Sequence, residues 1–162
     1  MRLAIISDTH MPRGARAIPE ACLRQCREAD AILHAGDLLD VPVLELLRAL
    51  GPPVHAIHGN VDGAALRALL PARLELEFDG VRVGMIHTAG PATGRLDALR
   101  AAFPRADAVV FGHTHLPEHA ERDGFQIFNP GSPTERRRAP AHTMGIATVA
   151  EGTIEFELHV VR

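Results

Sequence analysis

The chain has no lysine, no tryptophan and no tyrosine, and only two each of cysteine, asparagine and serine in 162 residues. All 17 of its basic residues are arginine, set against 20 acidic ones, so the formal charge is 17 − 20 = −3. Each shortage excludes something. Without an excess of positive charge there is no electrostatic footprint for bulk nucleic-acid binding, and no nucleic-acid partner is expected. Cys22 and Cys26 make no disulfide framework. Four apart on a predicted helix, they read as buried free thiols, and a reducing, cytoplasmic setting is expected. No apolar run is long enough to span a bilayer, and the N-terminal run reaches Asp8 too soon for a signal peptide, so no membrane partner is expected either. At 46% hydrophobic and 23% charged the composition is that of a folded chain. Its length suits a single domain over residues 1–162.

Against this poverty stand ten histidines. Short apolar runs at Arg2–Ser7, Ala31–Ala35, Val54–His58 and Ala108–Phe111 read as strands. They alternate with helical patterns over Pro19–Ala29, Val43–Leu50, Ala64–Leu70 and Arg95–Phe103. Asp40 is placed to cap the second helix and Asp62 the third. Alternation on either side of Asp79-Gly80, Asp123-Gly124 and Glu151-Gly152 predicts three hairpins. The class is α/β, with parallel or mixed strands early and antiparallel strands late.

Five of the predicted strands end alike, on Asp8, Asp37, Asn60, His87 and His113. Loops at the carboxyl ends of strands in an α/β sheet gather on one edge, where ligands bind. Every one of the five is a potential metal ligand, and Asp8-Thr9-His10 and His113-Thr114-His115 add two more. In extended backbone, residues two apart point the same way, so each pair is expected to approach a metal from one side. Gly36, Gly59 and Gly112 precede Asp37, Asn60 and His113, where the backbone must turn beside a crowded centre. Taken singly, each residue has a plain explanation as a strand-end cap or a polar loop. Together they form a donor set of imidazole, carboxylate and amide oxygen that suits borderline divalent ions, in a number that suits two.

The series Asp8-x-His10, Gly36-Asp37, Gly59-Asn60, the His87 loop and Gly112-His113-Thr114-His115 resembles the motifs of calcineurin-like metallophosphoesterases. The later Asn129-Pro130-Gly131-Ser132 and the small size narrow the likeness to their compact bacterial and archaeal phosphodiesterase branch. The resemblance implies a four-layer αββα sandwich, two mixed sheets flanked by helices. By position, Asp8, His10 and His115 would hold one metal, Asn60, His87 and His113 a second, and Asp37 would bridge them. The cofactors implied are two divalent ions, Mn²⁺ first, with Zn²⁺, Fe²⁺, Ni²⁺ or Co²⁺ as alternatives. The reaction implied is hydrolysis of a small phosphate ester, foremost a diester, by a water held between the metals. Asp37, His10 and Asn60 would activate that water and position the phosphate. A homodimer or larger homo-oligomer is also implied. Val61 departs from the pattern, since many relatives carry a histidine there to assist the leaving group. The competing function is a protein-binding scaffold, as in the retromer subunit that resembles this branch. Its metal site is impaired, whereas all seven positions here carry competent donors.

His34 and His58 lie on runs leading to the site and read as supporting rather than ligating residues; His55 reads as a strand residue, and His119, His142 and His159 as surface. Arg136-Arg137-Arg138 reads first as a solvated loop, with a clamp for a second phosphate as the sharper expectation. Arg13 and Arg16 are weaker candidates of the same kind.

Overall fold

The computed structural model describes all residues, 1–162. Ten strands and four helices follow one another as β1 (Arg2–Ile6), α1 (Glu20–Arg27), β2 (Ala31–His34), α2 (Val41–Arg48), β3 (Val54–Ala56), α3 (Ala64–Leu69), β4 (Arg73–Phe78), β5 (Val81–Ile86), α4 (Arg95–Ala102), β6 (Ala108–Val110), β7 (Glu118–Arg122), β8 (Phe125–Asn129), β9 (Thr143–Ala150) and β10 (Thr153–Val160). They form two five-stranded mixed sheets, ordered β10-β9-β1-β2-β3 and β4-β5-β6-β8-β7. In the first, β1, β2 and β3 are parallel, β9 runs antiparallel to β1, and β10 antiparallel to β9. In the second, β5, β6 and β8 are parallel, and β4 and β7 close the edges as the antiparallel arms of hairpins.

The apolar runs are continuous because the central strands are buried on both faces. Leu3, Ile5 and Leu33 turn inward to meet Val83, Met85 and Val110 of the other sheet. Ala4, Ile6 and Ile32 turn outward, under Cys22 and Cys26 of α1 and Leu47 of α2. On the far side, Leu99 of α4 and the adjoining Phe103 cover Val109, Phe125 and Ile127. This is the expected four-layer sandwich, and both thiols are buried and free. The Asp79, Asp123 and Glu151 hairpins form as predicted, each with a positive φ at the turn acid.

Asp40 accepts the Val41 N–H and Pro42 sits in the first turn of α2, as the pattern predicts. Asp62 does not cap α3; that helix starts at Gly63 with no side-chain cap. The carboxylate is buried and serves the site instead. The third run is also shorter as a strand than predicted, ending at Ala56 and leaving His58 in the connection to the site.

Candidate metal centre

Strands β1, β2, β3, β5 and β6 deliver their carboxyl ends to one edge of the sandwich. All seven predicted donors meet there, drawn from both sheets. The buried ligand atoms of Asp8, His10 and His115 lie within 4.8 Å of one another, and so do those of Asp37, His87 and His113. Asn60 joins the second group, its Oδ1 at 3.0 Å from His87 Nε2 and 2.8 Å from His113 Nδ1. Asp37 stands between the groups: Oδ2 is 3.4 Å from His10 Nε2 and 3.2 Å from His87 Nε2.

The backbone reaches this arrangement differently from expectation. Asp8, His10, Asp37, His113 and His115 have φ of 56, 45, 58, 71 and 60°, in the left-handed region rather than in extended chain. Asp8 and His10 still meet in one group, as their spacing predicts, whereas His113 and His115 turn to different groups. Five such residues at one edge store backbone strain where the ligands gather. The glycines answer a spatial demand. A Cβ on Gly36 (φ +95°) would lie 2.7 Å from His87 Nδ1, and one on Gly59 would collide with the Asp37 carboxylate.

The imidazoles are oriented by their second nitrogens. His87 Nδ1 donates to the Ala35 carbonyl at 2.7 Å and His115 Nδ1 to that of Glu135, which leaves each Nε2 lone pair aimed at the centre. Asp8 accepts from the Ser7 hydroxyl (2.7 Å) and the His113 N–H (3.0 Å). Asp37 Oδ1 accepts the Val61 N–H at 3.0 Å. His34 supports from behind: its Nδ1 accepts the Gly36 N–H, so Nε2 carries the proton toward Thr9 Oγ1, and burial pushes its pKa down to about 4.

The roles of Asp62 and Glu135 lie outside the sequence reading, and Asn129 appears there only as part of a motif. Asp62 accepts the N–H groups of Asp37 (3.0 Å), Gly59 (2.7 Å) and Leu39 (2.7 Å), clamping two ligand loops together. Its place two residues after Asn60 is the one local signal, and the helix-cap reading absorbed it. Glu135 takes Arg16 at 2.7 Å and faces His10 Nδ1 at 3.6 Å. Arg16 lies 119 residues away, so nothing local announces the pair. Asn129 ties the β6 loop, donating to the Gly112 carbonyl and Thr114 Oγ1.

Arg136, Arg137 and Arg138 are exposed on the loop that follows Glu135, with Arg136 bonded to the Ala139 carbonyl. Arg13 is exposed, while Arg16 is neutralised by Glu135. His119 is exposed as expected, but His142 and His159 are partly covered.

The protonation pattern is that of a set of metal ligands. Burial opposes protonation of His10, yet Asp37 and Asp8 outweigh it and raise its pKa to about 9. Burial likewise opposes ionisation of Asp37, but His10 and His87 hold its carboxyl well below the usual range. His10 Nδ1 and Nε2 and His115 Nε2 are nevertheless buried with no hydrogen-bond partner. Such groups are costly to leave unpaired, and a divalent ion satisfies both Nε2 atoms at once. The donors therefore fit divalent metal, and binding it would displace the protons these groups otherwise hold.

The class defined by this fold and site is a two-sheet α/β sandwich with metal-ligand groups at its converging strand ends. The calcineurin-like phosphoesterase superfamily domain matches residues 1–152, and the chain belongs to that superfamily. It is 39% identical over 139 residues to a probable metallophosphoesterase of Methanothermobacter thermautotrophicus, covering 85% of this chain and 80% of that one. A phosphodiesterase of Methanocaldococcus jannaschii is 23% identical over 144 residues, 81% of this chain and 83% of its own. Among solved structures, a Thermotoga maritima protein aligns with a TM-score of 0.77 at 29% identity over 99% of both chains. Wild-type Vps29 of Entamoeba histolytica, complexed with zinc, aligns with a TM-score of 0.78 at 23% identity over 99% of both, a likeness of fold alone. No helix is long and apolar enough to cross a membrane.

Proposed function

We propose that the protein is a metal-dependent phosphodiesterase, acting in the cytoplasm on a small phosphate ester. The observation that carries this reading is the position of Asp37 Oδ2, within 3.4 Å of a donor in each ligand group. A carboxylate so placed is shared, and a shared carboxylate implies two ions rather than one, held by Asp8, His10 and His115 on one side and by Asn60, His87 and His113 on the other. Manganese heads the metals that suit this donor set. Bound divalent ions supply Lewis acidity, lowering the pKa of a water and screening phosphoryl oxygens.

The chain's own part is positioning. Asp37 sets the spacing between the groups, and Asp62 holds its loop against that of Asn60. Asn60 offers an uncharged oxygen, which leaves more of the cations' charge for an anionic ester than a third carboxylate would. Val61 provides no proton donor, which favours esters with good leaving groups and disfavours monoesters. Arg136, Arg137 and Arg138, exposed on the loop that follows Glu135, supply positive charge for polyanionic substrates. The scaffold reading draws on fold likeness to Vps29, and the completeness of the donor set argues against it.

The test is turnover of bis(4-nitrophenyl) phosphate by purified protein. Hydrolysis that chelator abolishes and Mn²⁺ restores is the expected result. Absence of turnover with Mn²⁺, Ni²⁺, Co²⁺ and Zn²⁺ would overturn the enzyme reading in favour of the scaffold.

A further inference from the structure

Beside the second ligand group lies a cleft of about 340 Å³, and Asn60 and His87 form one wall of it. The other walls include His58, Arg67, Arg73 and Thr88, and no carboxylate is among the nine lining residues. In a chain with more acids than bases, such a lining next to a ligand group is a local reversal of charge.

The four side chains are not equivalent. Arg73 lies over the Phe103 ring, 3.7 Å from its centroid, and bonds Glu75 at 3.0 Å, so its charge is taken up. Arg67 has no acidic partner. Its Nε donates to the Asp62 carbonyl at 2.8 Å and its Nη2 to those of Gly59 and Asn60, both at 3.0 Å. These bonds hold the guanidinium rigidly at the Asn60 loop and leave the two N–H donors of Nη1 without a protein acceptor. His58 donates its Nδ1–H to the Gly59 carbonyl at 3.3 Å, so Nε2 of the neutral ring is an acceptor and offers an anion nothing. Thr88, just past the ligand His87, is exposed on the same cleft. A cation oriented in advance, with a hydroxyl-bearing side chain on the same cleft, is the arrangement that recognises a phosphate oxygen.

We propose that Arg67 and Thr88 form a second anion subsite, which holds a phosphoryl group of the substrate other than the one at the ligand groups. The inference rests on the phosphoesterase reading and sharpens it: the substrate class is a phosphate ester or anhydride with at least two phosphoryl groups, of nucleotide size. The subsite sits on the Asn60–His87 side, distinct from the Arg136–Arg138 loop.

Binding of adenosine 3′,5′-bisphosphate and adenosine 5′-monophosphate to the Mn²⁺-loaded protein, measured by calorimetry, tests it. The bisphosphate should bind about tenfold tighter. Arg67→Ala should bring the ratio close to one without changing monophosphate affinity. Because Arg67 also braces the Asn60 loop, Thr88→Ala is the second variant; that side chain braces no loop, and its loss should lower the ratio about threefold. Equal affinities in the unaltered protein, or an unchanged ratio in both variants, would overturn the subsite. So would an Arg67→Ala protein that binds both nucleotides equally weakly while Thr88→Ala keeps the full ratio, since Arg67 would then be structural only. Failure of the parent reading looks different: no diester is hydrolysed, whatever the two nucleotides do.

Discussion

The two ligand groups differ in enclosure. Asp8, His10 and His115 are buried completely, under the Ser132–Glu135 loop, whose Ser132 and Thr134 hydroxyls donate to the carbonyls of Asp8 and Thr9 at 2.8 and 2.7 Å. In the second group Asp37 and His87 are buried, His113 is half-buried, Asn60 is exposed, and the cleft opens beside them. One side of the centre is built to hold its ligands still and the other to be reached. Asp37 belongs to both, which makes it the residue whose loss should erase the distinction.

Asp37→Ala should therefore have the largest effect. It removes the shared oxygen, and kcat/KM for an aryl diester should fall about a thousandfold or more. Metal analysis should show both sites weakened; a variant that keeps two metals and full activity would show that Asp37 is not shared. Next comes Asp62→Ala, which touches no metal position but leaves three backbone N–H groups without their acceptor. It should cost roughly 2–4 kcal/mol of stability and weaken metal binding about 10–100-fold, with the open group losing more. Equal losses at both groups by metal titration would break the comparison.

A smaller effect tests the buried side through its protons. In metal-free protein the folded-state pKa of His10 is about 9, above its ordinary 6.5. Protonation of His10 therefore adds stability that is complete below about pH 6.5 and fades as pH rises through about 9. The gap in Tm between metal-free protein and its His10→Asn variant should shrink across that window, and a constant gap would remove Asp37 and Asp8 as the cause. The smallest change is expected from replacing Arg136, Arg137 and Arg138 with alanine. KM for polyanionic substrates should rise about three- to tenfold while that for a small diester stays put.

Much of the site was legible because its donors follow directly on apolar runs, and parallel strands bring their ends together. The hairpins were legible from alternation about Asp-Gly and Glu-Gly turns. The pairing of β9 with β1 was not, since β9 and β10 join the first sheet from the far end of the chain. Spacing alone misleads on direction: it predicts that His113 and His115 approach from one side, whereas they serve different groups, as the resemblance implies, while Asp8 and His10, also on left-handed backbone, share one.

The sequence by itself determined the chemistry on offer: which donors exist, that five of the seven end an apolar run, and that glycine precedes three of them. Only the tertiary structure decided that one group of donors is closed and the other open. That division depends on Asp62 clamping two loops, on Glu135 meeting residues more than a hundred positions away, and on a cleft between the Asn60 and His87 loops. None of these has a local signature, because each arises where separate strand ends meet in space.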